Sequence, residues 1–390
     1  MSRGIRDATA IAGVGCTEFS KESGRSELQL AVEAIQAALE DCGLTPSDVD
    51  GLVTFTMDTS LESEVANNLG IPELKFFSRI EYGGGGGCGC LLHAALAVAT
   101  GTADVVVCYR AFNERSGHRL GSNISMMPVS GPMMAQMAWG ASSGLLTAGQ
   151  FAAMWAKRYM HQYGATSEDF GRLAVTFRDY AATNPNAFFH QKPITLADHQ
   201  ASRWVVEPLR LLDCCQESDG GVAFVVTTTE RARDLRQRPA LIRAAAQGSV
   251  YPQAPMTSFY RDDVATLPES ESVARALYER AGLGPSDIQA AIIYDHFTPL
   301  VLGQLEEFGF CGRGEAAGFV KDGHLEIGGS LPTNMNGGQL GEAYIHGMNG
   351  IAEAVRQIRG VACNQVADLT NIVVTSGAAV PTSGLILARE

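Results

Sequence analysis

The chain has 390 residues, of which 46% are hydrophobic, and its 42 acidic and 29 basic side chains give a formal net charge of -13. This balance predicts a folded protein with a sizeable core, and the acidity argues against nucleic acid or an anionic membrane surface as a main partner. Nine cysteines without paired Cys-x-x-Cys motifs predict reduced core thiols in a cytoplasm rather than a metal centre, and no apolar run approaches the roughly 20 residues that span a bilayer.

The first predicted elements are a helix and a strand joined by a turn. Apolar residues recur with a helical period over residues 28–39, which predicts a helix that ends at Gly43. The apolar run at 51–55 predicts a strand. A five-glycine run at 83–87 then opens a second helix, and the apolar run at 103–108 predicts the strand after it. Strands that alternate with helices indicate a mostly parallel sheet covered on both faces.

The segment at about 111–208 differs in composition and is predicted to be an inserted loop domain. It carries two helical patterns, at 151–163 and 169–183. These follow a cluster of large apolar residues: Met126, Met127, Met133, Met134, Met137 and Trp139. Such clusters are most often adaptable packing, and a lining for a bulky apolar ligand is the functional alternative.

The second half of the chain repeats the first. Residues 43–49 (GLTPSDV) and 282–288 (GLGPSDI) match, and each motif is preceded by a helical pattern and followed by an apolar strand. The second copy continues with a glycine pair at 337–338, which is predicted to open a helix, and with a final apolar strand. The same order of elements around both motifs indicates a duplication, with one half at 1–235, including the inserted segment, and the other at 236–390.

Two further segments resemble the sterol-carrier or lipid-transfer branch of the thiolase superfamily. Residues 184–187 (NPNA) are similar to part of that branch's loop domain, and residues 212–221 (LDCCQESDGG) to the strand that follows it. The resemblance covers nearly the whole chain. It implies an α/β protein with a duplicated thiolase fold, in which two βαβαβαββ halves form α/β/α/β/α layers. It also implies a homodimer joined through the sheet edge near the first-half glycine helix.

The residues that perform thiolase chemistry are replaced in this chain. Counting back from the end of the first-half glycine helix, the position that matches the nucleophilic cysteine is Gly84. The position that matches the histidine after the second glycine pair is Tyr344. The branch's His-Asp-Cys-Phe motif is Tyr-Asp-His-Phe at 294–297, and the loop that carries the C-terminal cysteine reads TSGAAV at 375–380. A working thiolase is therefore not expected.

Tyrosines at two catalytic histidine positions resemble the thiolase-like retro-aldolases of bacterial steroid side-chain degradation. This resemblance implies an acyl-CoA steroid substrate, a β-hydroxyacyl-CoA with a tertiary hydroxyl on the ring system. Its cleavage gives a ketosteroid and propionyl-CoA. The resemblance also implies catalytic tyrosines and a heterotetramer with a small OB-fold, zinc-ribbon acyl-CoA-associated protein.

The CoA thioester simplifies this chemistry, because the departing fragment is a thioester enolate and serves as its own electron sink. No cofactor is expected, since none of the five lysines lies in the glycine or tyrosine motifs and no metal cluster is visible. We predict that Tyr344 is the base on the hydroxyl and that Tyr294 donates a proton to the enolate carbon. The reverse assignment stays open.

Four further residues are predicted to support the tyrosines. A tyrosine with an ordinary pKa near ~10 needs a lowered pKa or a proton network to act as a base, and His296 and His346 are the neighbours suited to provide either. Backbone N–H groups at Gly84 and Gly338 are predicted to stabilise the enolate oxygen. The missing side chain at Gly84 also predicts free volume for a ring substituent.

Two other functions stay open at this point. An acyltransferase with a shifted nucleophile would use Cys88 or Cys90 and would form an acyl-enzyme. A non-catalytic scaffold or lipid carrier would bind acyl-CoA or lipid without turnover. Each tyrosine also has a structural interpretation, as a core aromatic at the end of an apolar segment.

Overall fold

A computed structural model describes residues 4–55, 59–81, 83–117, 119, 135, 138–253, 261–378 and 382–390. Within these residues, strands β1 to β11 are Thr9–Cys16, Gly51–Phe55, Phe76–Ile80, Val105–Asn113, Trp204–Val206, Leu209–Arg210, Asp219–Thr228, Ala240–Gly248, Ala290–Ile292, Asn371–Ser376 and Thr382–Ala388. Helices α1 to α6 are Glu27–Cys42, Glu62–Leu69, Gly87–Ala99, Ala148–Tyr163, Ser167–Thr183 and Leu196–Ala201. Helices α7 to α12 are Thr229–Arg233, Pro268–Ala281, Thr298–Glu307, Ala316–Lys321, Gly338–Gly341 and Met348–Arg359. None of the helices in these ranges is long and apolar enough to cross a membrane.

Nine of the strands form one continuous sheet in the order β3-β2-β4-β7-β1-β8-β11-β10-β9. Strand β2 runs parallel to β3 and β4, β9 runs parallel to β10, and the remaining neighbours are antiparallel. The two halves join where β1 meets β8, with Ala10 opposite Leu241 and Ile11 opposite Ala240. The prediction of a mostly parallel sheet was therefore wrong: the parallel pairs lie at the two ends of the sheet, and the strands at its centre are antiparallel because β7, β1, β8 and β11 join the two halves edge to edge.

Helices α3 and α12 lie between the two halves of the sheet. Each contacts strands of both halves, whereas α1 contacts first-half strands and α8 packs on β8 and β11 of the second half. The side chains of α3 are apolar around most of its circumference, as expected for a helix covered on all sides. This arrangement gives the predicted α/β/α/β/α layers.

The duplicated motif forms the same local structure in both halves. Gly43 and Gly282 adopt left-handed conformations, with φ of 80° and 64°, and end α1 and α8. The Pro-Ser-Asp residues that follow form one 3₁₀ turn in each copy. In each turn the aspartate accepts the backbone N–H three residues earlier, at 2.9 Å for Asp48 and 2.8 Å for Asp287. The repeat predicted from the sequence is thus present in the backbone.

The two halves differ after their glycine-rich segments. The first glycine run leads directly into α3, as predicted. After the second, α11 is a single turn, and the long helix α12 begins only at Met348. The second glycine pair opens a helix, as predicted, but that helix is a single turn and is not the counterpart of α3 in length. The loop between these helices carries Tyr344 and His346, and His346 has a φ of 49°, which is uncommon for a residue other than glycine.

The inserted segment contains the two predicted helices, α4 and α5. Its methionines at 126–137 lie outside the described residues, and Trp139 is largely exposed. A buried hydrogen-bond pair joins this segment to the second half through Asp213: His199 Nε2 lies 2.7 Å from Asp213 Oδ1, and Thr298 of the second half donates to the same oxygen at 2.7 Å. Because Thr298 begins α9 just after the Tyr-Asp-His-Phe motif, this contact fixes the end of that motif.

Candidate active site

The two predicted catalytic tyrosines lie in contact. Tyr294 follows β9 and Tyr344 lies in the loop between α11 and α12, yet their hydroxyl oxygens are 3.2 Å apart. Both side chains are buried, with 4% of Tyr294 and 9% of Tyr344 exposed. A hydrogen bond between two buried hydroxyls allows a proton to pass directly from one to the other.

Hydrogen bonds from two other elements hold the backbone of Tyr294. Its N–H donates to Thr375 Oγ1 at 2.8 Å, and its carbonyl accepts from Gln304 Nε2 at 2.9 Å. Thr375 Oγ1 in turn donates to Gln304 Oε1 at 2.6 Å. These three bonds close a ring between β10, α9 and the end of β9, which fixes the position of Tyr294.

A buried carboxylate organises the loop that carries Tyr344. The N–H of Tyr344 donates to Ser218 Oγ at 3.1 Å. Two residues earlier, Glu342 is fully buried, and Arg356 lies 3.7 Å from its Oε1 atom. Its carboxylate accepts hydrogen bonds from three side-chain amides: Asn184, Asn336 and Asn349. Glu342 therefore ties the tyrosine loop to α5 and α12.

Asp295 links the two tyrosine-bearing segments. Its carboxylate accepts the N–H groups of Gln339, at 2.8 Å, and Leu340, at 3.2 Å, in the first turn of α11. Burial raises its pKa to about 6, although these backbone hydrogen bonds act in the opposite direction. A Cβ on Gly338 would lie 2.1 Å from Asp295 Oδ2, so only glycine leaves room for the carboxylate. The Gly338 N–H donates to Asn336 Oδ1 at 3.1 Å, and its predicted oxyanion role is not retained.

Gly84 makes room for Tyr294 rather than for a substrate. A Cβ built on Gly84 would lie 1.8 Å from the hydroxyl oxygen of Tyr294. The prediction of free volume for a ring substituent at this position was therefore wrong. The reason is that the tyrosine hydroxyl reaches across and fills the space next to the glycine backbone.

Two neutral histidines flank the tyrosine pair. The ring of His296 lies 4.8 Å from that of Tyr294, and the ring of His346 lies 4.9 Å from that of Tyr344. Burial lowers the pKa of His296 to about 4. Burial, the nearby guanidinium of Arg110 and His296 lower the pKa of His346 well below its usual range. Arg110 Nη2 lies 3.2 Å from His346 Nδ1, which identifies that nitrogen as the acceptor.

The structure contradicts the idea that these histidines lower the pKa of the tyrosines. Burial raises the pKa of both Tyr294 and Tyr344, and neighbouring Cys215 and Glu114 raise both further. A neutral imidazole cannot stabilise a phenolate by charge. The alternative prediction, that the tyrosines act through a proton network, agrees with the contact between their hydroxyl groups.

Glu114 acts electrostatically on both tyrosines, Lys21 acts on Glu114, and no motif in the sequence identified either residue. Glu114 follows β4 and is 4% exposed; burial and then Glu217 raise its pKa to about 9. Lys21 donates to Gln216 Oε1 at 3.0 Å, and burial lowers its pKa to about 8. The only sequence signal for Glu114 is its position at the end of a buried strand beside the second-half motifs.

The cysteines considered as shifted nucleophiles are core residues. Cys88 and Cys90 are fully buried in α3, and burial raises the pKa of Cys88 to about 12. The Cys88 thiol contacts the carbonyl of Val374 at 3.7 Å. A nucleophilic cysteine requires a thiolate and an accessible sulfur, and neither condition is met at Cys88. Across the described ranges, no three His, Cys, Asp or Glu side chains are grouped in a way that could hold a metal ion.

Two family models match this chain. Residues 9–230 match the thiolase N-terminal domain, and residues 254–388 match the thiolase C-terminal domain-like model. A steroid side-chain-cleaving aldolase of Thermomonospora curvata is 66% identical over 384 residues, which cover 98% of each chain. A 17-hydroxy-3-oxo-4-pregnene-20-carboxyl-CoA lyase of Mycobacterium tuberculosis is 59% identical over 97% of this chain and 98% of its own length.

A solved structure with the same fold is that of an Ltp2-ChsH2(DUF35) aldolase. It superposes with a TM-score of 0.94 at 65% sequence identity, and the alignment covers 99% of this chain and 98% of the other.

Proposed function

The chain belongs to the thiolase family, and we propose that within it the protein is a retro-aldolase that cleaves the side chain of a steroid acyl-CoA. The observation that carries this proposal is the 3.2 Å contact between Tyr294 and Tyr344, which stand at two positions where thiolases have catalytic histidines. The steroid substrate class and the reaction are those in the names of relatives at 66% and 59% identity. The products are a ketosteroid and propionyl-CoA.

The reaction needs one proton to move from oxygen to carbon. The tertiary hydroxyl loses its proton and its O–H electrons form the ketone, while the adjacent carbon–carbon bond breaks. The electrons of that bond form the propionyl-CoA enolate, because the thioester carbonyl accepts charge on its oxygen. A proton on the α-carbon then gives propionyl-CoA. Proton loss and proton gain balance, so the protein has only to relay a proton and stabilise the enolate.

The tyrosine pair relays this proton without either tyrosine being ionised beforehand. Both pKa values lie above the ordinary value, so each tyrosine begins protonated at neutral pH. As the carbon–carbon bond breaks, three protons shift together: the hydroxyl proton moves to Tyr344, the Tyr344 proton moves to Tyr294, and the Tyr294 proton moves to the α-carbon. The hydrogen bond between them lowers the pKa of Tyr294 and raises that of Tyr344, as expected when Tyr344 is the donor.

The test is product analysis with a steroid β-hydroxyacyl-CoA that has a tertiary hydroxyl. Wild-type protein is expected to release ketosteroid and propionyl-CoA, identified by mass spectrometry. Tyr294→Phe and Tyr344→Phe are each expected to lower kcat by at least about 100-fold, because a general acid or base contributes on the order of 10²–10⁴.

Tyr278→Phe is the control for the loss of a half-buried tyrosine hydroxyl. Its hydroxyl donates to the Phe308 carbonyl at 2.8 Å, away from the tyrosine pair. This variant should keep the wild-type kcat. A folded wild-type complex that releases no ketosteroid would overturn the proposed function, whereas activity that survives both active-site substitutions would overturn the relay.

A DUF35-type partner is part of the same proposal. The Ltp2-ChsH2(DUF35) aldolase superposes over nearly the whole of this chain, which supports a small acyl-CoA-associated partner of that type here. The assay therefore uses the chain co-expressed with such a protein. Co-purification at a fixed stoichiometry is expected, and a chain that is fully active alone would remove the partner from the mechanism.

A homodimer formed through β3 and a cytoplasmic location complete the proposal. Strand β3 is an edge of the nine-stranded sheet, and Phe77 on it is 66% exposed. An exposed aromatic on an edge strand favours pairing with a second copy. Phe77→Asp should convert the dimer to monomer in sedimentation, whereas Phe77→Tyr should not. All nine cysteines are free, which fits a reducing compartment.

A further inference from the structure

A buried carboxyl group next to the tyrosine pair has no part in the proton relay. Glu114 is 4% exposed, and its Oε2 atom has no hydrogen-bond partner among the residues that the structure describes. Proteins leave few buried polar atoms unpaired, and those that remain are often completed by a ligand or water. The position of Glu114 indicates which ligand atom would do so.

Strand β4, which Glu114 follows, contacts the tyrosine loop. Arg110 and Phe112 lie on one face of β4, and both contact His346: Arg110 Nη2 is 3.2 Å from its Nδ1 atom, and the Phe112 ring is 5.7 Å from its ring. Glu114 comes two residues after Phe112, in the turn that follows β4. Since the His346 ring packs 4.9 Å from the ring of Tyr344, Glu114 follows two residues that line the same side of the site.

The segment before β7 forms the other wall around Glu114. The two N–H groups that follow Glu114 in the chain donate to Oδ1 of Asp219, at 2.8 and 3.1 Å. In the same segment, the N–H of Cys215 donates to the carbonyl of His296 at 2.9 Å. The backbone that follows Glu114 is therefore tied to the start of β7, and the segment just before β7 is tied to the motif that carries Tyr294.

Charged groups surround Glu114 on three elements. Arg110 lies on β4, Lys21 follows β1, and Glu217 and Asp219 lie before and at the start of β7. Burial, followed by Glu217, raises the pKa of Glu114 to about 9, and the two cations oppose only part of this rise. The carboxyl group is consequently protonated at neutral pH. Glu114 also acts electrostatically on both tyrosines and on Cys215.

We propose that Glu114 is a further catalytic residue, whose protonated carboxyl group donates a hydrogen bond to the thioester oxygen while the carbon–carbon bond breaks. This inference rests on the retro-aldolase activity proposed above. The thioester carbonyl pair moves onto oxygen as the enolate forms, and Glu114 keeps its proton throughout. When Tyr294 protonates the α-carbon, the carbonyl re-forms, so the step needs no other reactant. An ionised carboxylate at this place would repel the enolate oxygen instead.

Two substitutions separate hydrogen-bond donation from packing. Glu114→Gln keeps an N–H donor that cannot ionise, and Glu114→Leu keeps the approximate volume without a donor. In the partner-bound complex, Glu114→Gln should retain kcat within about tenfold, whereas Glu114→Leu should lose about 100- to 1,000-fold with little change in KM. Glu306→Gln is the matched control for removing a buried carboxyl, because Glu306 bonds Tyr159 and the Ala316 N–H instead of the tyrosine pair. Its kcat should equal that of wild type.

The pH profile gives a readout that a purely structural role would not change. Wild-type kcat should fall above about pH 9 as Glu114 ionises, and in Glu114→Gln that fall should be absent. Infrared difference spectra at neutral pH should show the carbonyl band of a protonated carboxylic acid in wild type that Glu114→Gln lacks. Folding of each variant is checked by its thermal unfolding.

The outcomes distinguish this inference from the proposed function. A wild-type complex without cleavage activity overturns the function itself. If wild type cleaves its substrate, a folded Glu114→Leu with wild-type kcat overturns the role of Glu114 alone. A Glu114→Gln variant as inactive as Glu114→Leu, or one that keeps the alkaline fall in kcat, also overturns it. Full agreement with the expected kcat and pH values supports Glu114 as the enolate-binding acid.

Discussion

At the residue scale, Gly84 and Tyr294 depend on each other. A side chain at position 84 would occupy the place of the Tyr294 hydroxyl, since the two atoms would be 1.8 Å apart. The resemblance to thiolases assigns the nucleophile to position 84, and here this position has no side chain. The glycine at position 84 and the tyrosine at position 294 therefore require each other, because the absence of a side chain at position 84 leaves the space that the Tyr294 hydroxyl fills.

Gly84→Ala should disrupt catalysis more than a methyl group would elsewhere. The added Cβ forces Tyr294 away from Tyr344, so kcat should fall by at least about 100-fold and the free energy of unfolding by about 1–3 kcal/mol. Steady-state kinetics and chemical denaturation measure the two effects. Gly318→Ala is the control, because a Cβ there has no atom within 4 Å. Unchanged kcat and stability in Gly84→Ala would show that Tyr294 does not need its present position.

The relay through Tyr344 and Tyr294 makes a separate kinetic prediction. Three protons move in one step, from the substrate hydroxyl to Tyr344, from Tyr344 to Tyr294 and from Tyr294 to the α-carbon, because neither tyrosine ionises beforehand. A plot of kcat against the deuterium fraction of the solvent should therefore lie below the straight line that joins its two end points, provided that bond cleavage limits kcat. A linear plot under the same conditions would indicate a single proton in flight, and would favour one tyrosine as the sole acid and base.

At the element scale, carboxylates rather than apolar contacts orient the tyrosine segments. Asp295 accepts two N–H groups from the first turn of α11, and Glu342 accepts three side-chain amides from around the following loop. Helix α11 has only one turn, so it offers little stability of its own. Its position depends on Asp295, which sits next to Tyr294 in the chain.

Asp295→Ala should therefore separate the two tyrosines. Loss of the two accepted hydrogen bonds should lower the free energy of unfolding by about 1–3 kcal/mol, and kcat should fall much more than KM rises. Asp198→Ala is the matched control: Asp198 also accepts a backbone N–H, from Thr195 at 2.8 Å, but it is exposed and distant from the tyrosines in the chain. The Asp198→Ala substitution should lower the free energy of unfolding by about 0.5–2 kcal/mol and leave kcat unchanged. Equal kcat values for the two variants would contradict a positioning role for Asp295.

At the scale of the whole molecule, the second half holds the start of the buried helix of the first. Ser376 Oγ accepts the Cys88 N–H at 3.1 Å, and Ser383 Oγ accepts the Gly89 N–H at 3.0 Å. These N–H groups belong to the first turn of α3, and N–H groups in the first turn of a helix have no acceptors within the helix. The two serines lie on β10 and β11, so folding of the second half completes the glycine helix beside the active site.

The buried carboxyl groups predict a stability that depends on pH. The pKa of Glu114 rises from 4.5 to about 9 on folding, so the folded protein keeps a proton that the unfolded chain loses. This contribution is fully present below about pH 4.5 and is lost as the pH rises toward 9. Between pH 7 and 8, the loss of this contribution should lower the free energy of unfolding by about 1.4 kcal/mol per pH unit.

Denaturant unfolding of wild type and Glu114→Gln at pH 7 and 8 measures this contribution. In Glu114→Gln, the free energy of unfolding should change much less between pH 7 and 8, because glutamine does not titrate. Asp295 and Glu353, with pKa values of about 6 and 7, contribute mainly below this window and are common to both proteins. The same slope in the two proteins would mean that Glu114 is ionised in the folded state.

The sequence by itself determined the duplication and the main elements. Helical periods, glycine caps such as Gly43 and Gly282, and Pro-Ser-Asp turns act through neighbours in the chain, so they can be interpreted without coordinates. The predicted helix at 28–39 corresponds to α1, and the predicted strand at 51–55 corresponds to β2. The family resemblance added the fold and the positions of Tyr294 and Tyr344.

Only the tertiary structure decided how those residues work. The contact between the tyrosine hydroxyls joins positions 50 residues apart, and the space beside Gly84 depends on a side chain from the other half of the chain. The direction of a pKa shift depends on burial and on charges from several elements, so the sequence could not show that the tyrosine pKa values rise. Glu114 belongs to no motif. Glu114 was assigned to the site because it is buried near the tyrosines, and burial depends on how the whole molecule packs.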